Sequence, residues 1–327
     1  MTDLSLFDNK TVLITGATGS FGKGFTKHLL DNTNAKKIIV FSRDEYKQHL
    51  MAQEFNDPRL RFFLGDVRDL QRLERAFHGV DIVVHAAALK QIPALEYNPF
   101  EAVKTNIIGS QNVIEAGVNQ NVSKVLLVST DKAAQPVNLY GATKLTAERL
   151  FVAGNSYGAK ATRFSVVRYG NVLGSRGSLV EIILNRQIDE KVKVTDIDMT
   201  RFWITLKESY DLVVFALQNM EGGEIFIPKV PSMKIVDLVE ALAPGVEREI
   251  IGIRPGEKVH EVLLTEDESR HSFDLGKYYI VLPSYQFAEG LYAKYKNFDR
   301  LRSRFRYSSD SNTEWLSIDD VKKIVSR

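Results

Sequence analysis

The strongest constraint on this 327-residue chain is a repeated rhythm of apolar runs. Stretches rich in Val and Ile recur at KTVLIT, KKIIVFS, RLRFFLG, VDIVVHAA, KVLLVST and RFSVVRYGNV. Each is strand-sized and lacks polar alternation, the pattern of parallel strands covered on both faces. Between them lie GKGFTKHLLDN, DEYKQHLMAQEF, LQRLERAFHG and NPFEAVKTNIIGSQNVIEAGV, whose apolar residues fall three and four apart as on a half-buried helix. Strand and helix in alternation predict an α/β fold, a doubly wound parallel sheet. After about residue 172 the rhythm loosens into isolated strands (KVKVT, EIFIP, EIIGI) and helices (LVEIILNRQ, KESYDLVVFALQNM, KIVDLVEAL). The expected organisation is a nucleotide-binding domain over residues 1–172 and a smaller α/β substrate lobe over residues 173–327, from which a helix or strand can return to the first domain. In the final WLSIDDVKKIV, Ser317 with Asp320 three residues on predicts a capped helix.

Composition narrows the function classes. A net charge of +2 gives no field suited to nucleic acid or an anionic membrane, so a small partner is expected. With no cysteine there is no disulfide framework, no thiolate metal site and no cysteine nucleophile, and a reducing, cytoplasmic setting is compatible. The six histidines have no metal-ligand spacing, so no metal is expected. MTDLSLFDNK is unlike a signal peptide, and no apolar run approaches the roughly 18 residues that span a bilayer. The chain reads as soluble. Arg300, Arg302, Arg304 and Arg306 alternate with other residues near the end, which reads as the solvated face of a strand.

TVLITGATGSFGKGF puts Gly16, Gly19 and Gly22 after the first strand and at the opening of the first helix. Glycines there let backbone N–H groups approach a pyrophosphate at a helix N-terminus. The spacing is one residue longer than G-x-G-x-x-G. The second strand ends in IIVFSRDEYK, where an NAD site usually places an acid against the ribose 2′-hydroxyl. Ser42, Arg43 and, one turn on, Lys47 suit a 2′-phosphate instead, so NADP is the expected cofactor, with Asp44 arguing the other way. Asp66 in LGDVRD reads either as an acceptor for the adenine amino group or as the N-cap of the next helix.

Within STDKAAQPVNLYGATK, Tyr140 and Lys144 lie one helical turn apart, on one face of a helix starting near Asn138. A tyrosine of ordinary pKa about 10 becomes a usable base if positive charge stabilises its phenolate. Thr130, at the end of the preceding strand, can offer its hydroxyl to the same substrate oxygen.

TGATGSFG, HAAA and YGATK resemble the extended short-chain dehydrogenase/reductase family of nucleotide-sugar enzymes. FSRDEYKQ, HAAALKQIPALEYNP, STDKAAQPVNLYGATK, VRYGNVLGSRGS, DIDMTRFWIT and RPGEKVHE are similar to its UDP-N-acetylglucosamine 4,6-dehydratases, particularly the C5-inverting type that opens pseudaminic acid synthesis. The resemblance implies a Rossmann domain, a tightly held NADP contacted by Gly16, Thr18, Gly19, Ser20, Phe21, Gly22, Ser42, Arg43, Lys47, Asp66, Val67, Ala86, Ala87, Tyr140 and Lys144, a UDP-sugar in the cleft, and a homo-oligomer. For the UDP-sugar it points to Lys90, Asn171, Arg201, Arg254 and Glu257. Membrane-bound relatives that retain C5 tend to carry Met at the position of Tyr140, so the tyrosine favours the inverting branch.

In such a dehydratase, oxidation at C4 makes the C5 proton removable and the C6 hydroxyl a leaving group. The resemblance gives proton removal to Lys132 and proton delivery to Asp131, with Thr130, Tyr140 and Lys144 handling C4. Lys132 must be neutral to act, whereas an ionised Asp131 favours its ammonium, so the two titrate together. A 4-epimerase or a ketoreductase needs the same turn and the Tyr140/Lys144 pair but not Asp131 with Lys132, and an NADP-sensing protein would keep the fold without chemistry.

Overall fold

The computed structural model describes residues 3–156, 161–175, 177–187, 191–284 and 289–325. In the first half, strands β1 (Thr11–Thr15), β2 (Lys37–Ser42), β3 (Leu60–Leu64), β4 (Ile82–His85), β5 (Lys124–Thr130) and β6 (Arg163–Tyr169) alternate with helices α1 (Ser20–Asn32), α2 (Glu45–Phe55), α3 (Leu70–Phe77), α4 (Ile92–Tyr97), α5 (Pro99–Ala102), α6 (Gly109–Asn119) and α7 (Leu139–Gly154). All six strands pair in parallel, in the order 3-2-1-4-5-6. The Val and Ile runs are buried throughout β1 and β4 because helices cover both faces. The order reverses between β1 and β4, so their carboxyl ends open the crevice in which such sheets bind ligands.

The second half contributes β7 (Asn171–Val172), α8 (Leu179–Leu184), β8 (Val192–Val194), β9 (Thr200–Ile204), α9 (Leu206–Asn219), β10 (Ile225–Pro228), β11 (Ser232–Lys234), α10 (Ile235–Leu242), β12 (Arg248–Ile250), β13 (Val262–Leu264), α11 (Glu266–Ser269), β14 (Ser272–Asp274), β15 (Tyr278–Val281), α12 (Glu289–Tyr295), β16 (Asp299–Arg300), β17 (Tyr307–Ser308) and α13 (Ile318–Val325). It does not stay apart from the first half. Strand β10 joins β6 in parallel, and β15, β14 and β16 follow antiparallel, extending the sheet to ten strands. A separate small core, including Trp203, Met233, Leu238, Val239 and Val321, gathers α8, β8, β9, α10 and α13 beyond the carboxyl edge of the sheet. Ser317 caps α13 as expected, accepting from the Asp320 N–H at 3.2 Å.

The arginine row is not the face of a strand. Only Arg300 lies in one, and Arg304 turns the chain with φ +63°, which breaks any extended run. No helix among the described residues is long and apolar enough to cross a membrane.

Candidate active site

A cleft of about 980 Å³ follows the carboxyl edge of the parallel strands. Its floor is the turn after β1. Gly16 has φ +65°, and a Cβ there would stand 2.8 Å from the Ala87 backbone, so the ends of β1 and β4 meet only because the residue is glycine. Gly19 caps α1 at an ordinary φ of −77°, and its Cβ would meet only the Gly16 carbonyl. That contact, at 3.2 Å, is tight, and a glycine there also keeps the N-terminus of α1 accessible in the cleft, where N–H groups suit an anion. The β4 end is fixed from behind by a buried chain. The Ser110 hydroxyl is donated to the Asn106 carbonyl, so Ser110 Oγ accepts from His85 Nε2 at 3.2 Å, while His85 Nδ1 accepts from Thr15 Oγ1 at 2.7 Å. Burial pushes His85 down to about 3, which keeps this ring neutral.

Every residue expected to hold the dinucleotide lines the cleft: Gly16, Thr18, Gly19, Ser20, Phe21 and Gly22 from the turn, Ser42, Arg43 and Lys47 at the β2 end, Asp66 and Val67 after β3, Ala86 and Ala87 after β4, and Tyr140 and Lys144 from α7. Asp44 is spent locally, accepting from the Lys47 N–H at 2.9 Å and pairing with Lys47 Nζ at 2.7 Å. The exposed Arg43 guanidinium reaches Asp66 at 3.5 Å. Of the two readings of Asp66, the capping one fails: Asp69 caps α3, and Asp66 instead binds Arg68 at 2.7 Å. Thr105, which the sequence reading did not single out, lines the cleft with its buried hydroxyl lacking a hydrogen-bond partner among the described residues. It sits in a π-helical turn at Val103–Ile108 within what reads as one continuous helix. The glycine cradle, the N-terminus of α1 and this unpaired hydroxyl fit a dinucleotide.

Strand β5 delivers the expected catalytic side chains to the cleft. Its last residue, Thr130, caps a 3₁₀ turn at Asp131–Ala133, and Asn138 caps α7 by accepting from the Gly141 N–H at 2.8 Å. Thr130, Lys132, Tyr140 and Lys144 all line the cleft. Asp131 is fully buried behind them, giving its carboxyl two hydrogen-bonded exits: the Thr130 hydroxyl at 2.8 Å and the Lys132 ammonium at 3.1 Å. Lys132 also faces Glu261 at 3.4 Å. Burial alone would lower the Lys132 ammonium, but Asp131 and Glu261 outweigh it and hold the group above an ordinary lysine. The resting side chain is thus charged, and it turns neutral only by passing its proton on. Burial pushes the Tyr140 phenol up to about 12 and pulls Lys144 down to about 8. The Lys144 Nζ donates to the Val128 carbonyl at 2.9 Å.

The expected sugar-binding residues divide. Lys90 and Asn171 line the cleft, and Asn106 fastens the Lys90 loop by bonding both the N–H and the carbonyl of Leu89 at 2.9 Å. Arg201 does not line it, because its guanidinium is taken by the carbonyls of Thr200, Lys258 and Val259. Arg254 and Glu257 stand outside as well; they pair loosely at 3.8 Å, and Glu257 accepts from the Thr195 hydroxyl. Lys258 and Glu261, in the same RPGEKVHE stretch, reach the loop after β5: Lys258 Nζ donates to the Ala134 carbonyl at 2.7 Å, and Glu261 faces Lys132.

Comparison with known proteins agrees with this geometry. Residues 12–283 match the family described as polysaccharide biosynthesis protein. The chain is 50% identical to a UDP-N-acetylglucosamine 4,6-dehydratase (inverting) of Campylobacter jejuni, covering 98% of both chains. It is 40% identical to a UDP-glucose 4-epimerase of Rickettsia felis over 98% of this chain and 96% of that one. Among solved structures, Pen from Bacillus thuringiensis superimposes with a TM-score of 0.88 at 41% identity, covering 98% of each chain.

Proposed function

The chain belongs to the polysaccharide biosynthesis protein family, and from that premise we propose that it is an inverting UDP-N-acetylglucosamine 4,6-dehydratase that works with NADP. One observation carries the reading: Thr130, Lys132 and Tyr140 share the cleft opposite the glycine turn, with a buried Asp131 hydrogen-bonded to two of them.

A nicotinamide dinucleotide held by the glycine turn and the β2 end would supply hydride acceptance at C4, hydride return at C6 and, when oxidised, positive charge. Tyr140, acting as the phenolate, receives the C4 hydroxyl proton, and Thr130 holds the same oxygen. With C4 a ketone, the C5 proton is acidic enough for an amine to remove. Proton transfer from Lys132 to Asp131 across their 3.1 Å contact creates both an amine facing the cleft and an acid behind it, so the pair acts as one titrating unit. Lys132 then takes the C5 proton, and the C6 oxygen leaves as water with the proton that Asp131 supplies through its Thr130 or Lys132 contact. Reprotonation of C5 from the opposite face inverts it, balanced by the proton that Tyr140 took from C4, so that every group returns to its starting state with no net redox change. Lys90 and Asn171 contribute polar contacts to the sugar nucleotide. The preference for NADP rests on Ser42, Arg43 and Lys47 at the β2 end together with an Asp44 already spent on its own helix.

A second reading, 4-epimerisation, is favoured by the similarity to UDP-glucose 4-epimerases. Mass spectrometry after incubation with UDP-N-acetylglucosamine separates the two. Loss of one water supports dehydration, and an unchanged mass with altered C4 stereochemistry supports epimerisation.

A further inference from the structure

We propose that Glu261 is a positioning residue for the elimination, holding the Lys132 amine against the sugar and serving as counter-ion to the ammonium formed when C5 is deprotonated; this inference rests on the dehydratase reading. Glu261 comes from the stretch just before β13 and is 3% exposed. Its backbone is fixed in both directions by one residue: the Glu261 N–H donates to Ser309 Oγ and the Ser309 N–H donates to the Glu261 carbonyl, each at 2.9 Å. From that anchored position Oε1 lies 3.4 Å from Lys132 Nζ, while Oε2 is buried without a hydrogen-bond partner among the described residues.

A buried carboxylate is costly unless cations surround it. Three do: Lys132, Lys258 with Nζ 3.7 Å from Oε2, and Arg201 with Nε 3.8 Å from Oε1. The other charged or titratable groups facing Lys132 are Asp131 on its own turn, Tyr140 from α7 and Lys90 from the loop after β4. Breaking the C5–H bond puts that proton on Lys132 Nζ, and the released electron pair expels the C6 hydroxyl. Asp131 changes its own charge during this step by giving up a proton. Glu261 does not, so it supplies a fixed negative charge beside the new ammonium. The competing possibility is a buried charge that merely neutralises Arg201 and Lys258.

The rate of product formation against pH distinguishes these roles, because it falls at high pH as the Asp131–Lys132 pair gives up the proton it shares. In Glu261→Gln, loss of the carboxylate moves the midpoint of that fall down by about 1–3 pH units. The maximal rate falls about 100-fold with little change in the KM for the sugar nucleotide, and Glu261→Asp recovers most of the rate. Lys258→Gln removes a competing cation and moves the midpoint up. Opposite shifts support the proposal; shifts in one direction, or a lost rate with an unmoved midpoint, overturn it. Should Glu261→Gln fail to fold, Glu261→Asp decides, because drawing the carboxylate back from Lys132 gives a smaller downward shift in support, and an unmoved midpoint counts against. Lys132→Ala tests the underlying reading separately: C4 oxidation without C5 exchange into deuterated water upholds it, and normal dehydration sinks it whatever Glu261 does.

Discussion

Gly141, the residue after Tyr140, packs its helix directly on the loop that carries Lys132. A Cβ at this position would overlap the Lys132 carbonyl oxygen and come within 3.0 Å of the Lys132 carbonyl carbon and of Pro136 Cβ. Carbon atoms rest at about 3.5–4.0 Å, so Gly141→Ala forces α7 and the 131–133 turn apart by roughly 0.5–1 Å. The two Lys132 atoms are backbone, which has no rotamer into which to escape. The overpacking costs about 1–3 kcal/mol, readable as a lowered midpoint in urea. Function suffers more than stability. In the proposed mechanism Tyr140 and Lys132 act on adjacent carbons of one sugar, and a misplacement near 1 Å can cost about 100-fold in rate. The turn after β1 is untouched, so the dinucleotide is weakened only through its α7 contacts at Tyr140 and Lys144. The assay is product formation from UDP-N-acetylglucosamine beside a fluorescence titration of the dinucleotide. A variant with wild-type turnover and wild-type stability would refute the argument that the contact between α7 and the catalytic loop sets the geometry.

Two further outcomes are expected. Arg43→Ala weakens NADP by about 10–100-fold, the worth of a charge-assisted hydrogen bond, and leaves NAD nearly unaffected; equal losses for both in a binding titration would remove the 2′-phosphate role. In the sheet core, Arg168 is fully buried and binds Glu148 and Glu268 at 2.6 and 2.8 Å, so Arg168→Met strands two carboxylates and costs about 3–5 kcal/mol in denaturant unfolding. Burial would raise Glu268, but Arg168 outweighs it and holds the carboxyl at about 2 against an ordinary 4.5. Its stabilisation is complete above pH 4.5 and lost as pH falls toward 2, so the stability gap between wild type and variant narrows through that window.

The parallel half of the sheet was legible because buried strands must be unbroken apolar runs, and the glycine turn because its position between strand and helix leaves few other uses. Strands such as β14 and β16 were not, since two or three residues reading SFD or DR carry no periodicity and exist only by pairing with β15 and with each other. The same limit governs the site. Tyr140 and Lys144 are one turn apart on one helix, so local geometry places them together. Arg201 looks like an anion clamp until its N–H groups meet three carbonyls brought by the fold. RPGEKVHE offers two acids, and only the anchoring of β13 against the Ser309 segment sets which one turns toward Lys132. Asp131 does most to keep Lys132 charged, as the Asp-Lys pair already indicates, and Glu261 adds a contribution that the pair could not reveal.

The central claim is that the hydride taken from C4 returns within the same sugar. UDP-N-acetylglucosamine carrying deuterium at C4, converted in ordinary water and followed by mass spectrometry and proton NMR, tests it directly. The account predicts a product lighter by one water with the deuterium in its C6 methyl group. Deuterium washed out to solvent, or still at C4 in a product of unchanged mass, would contradict it.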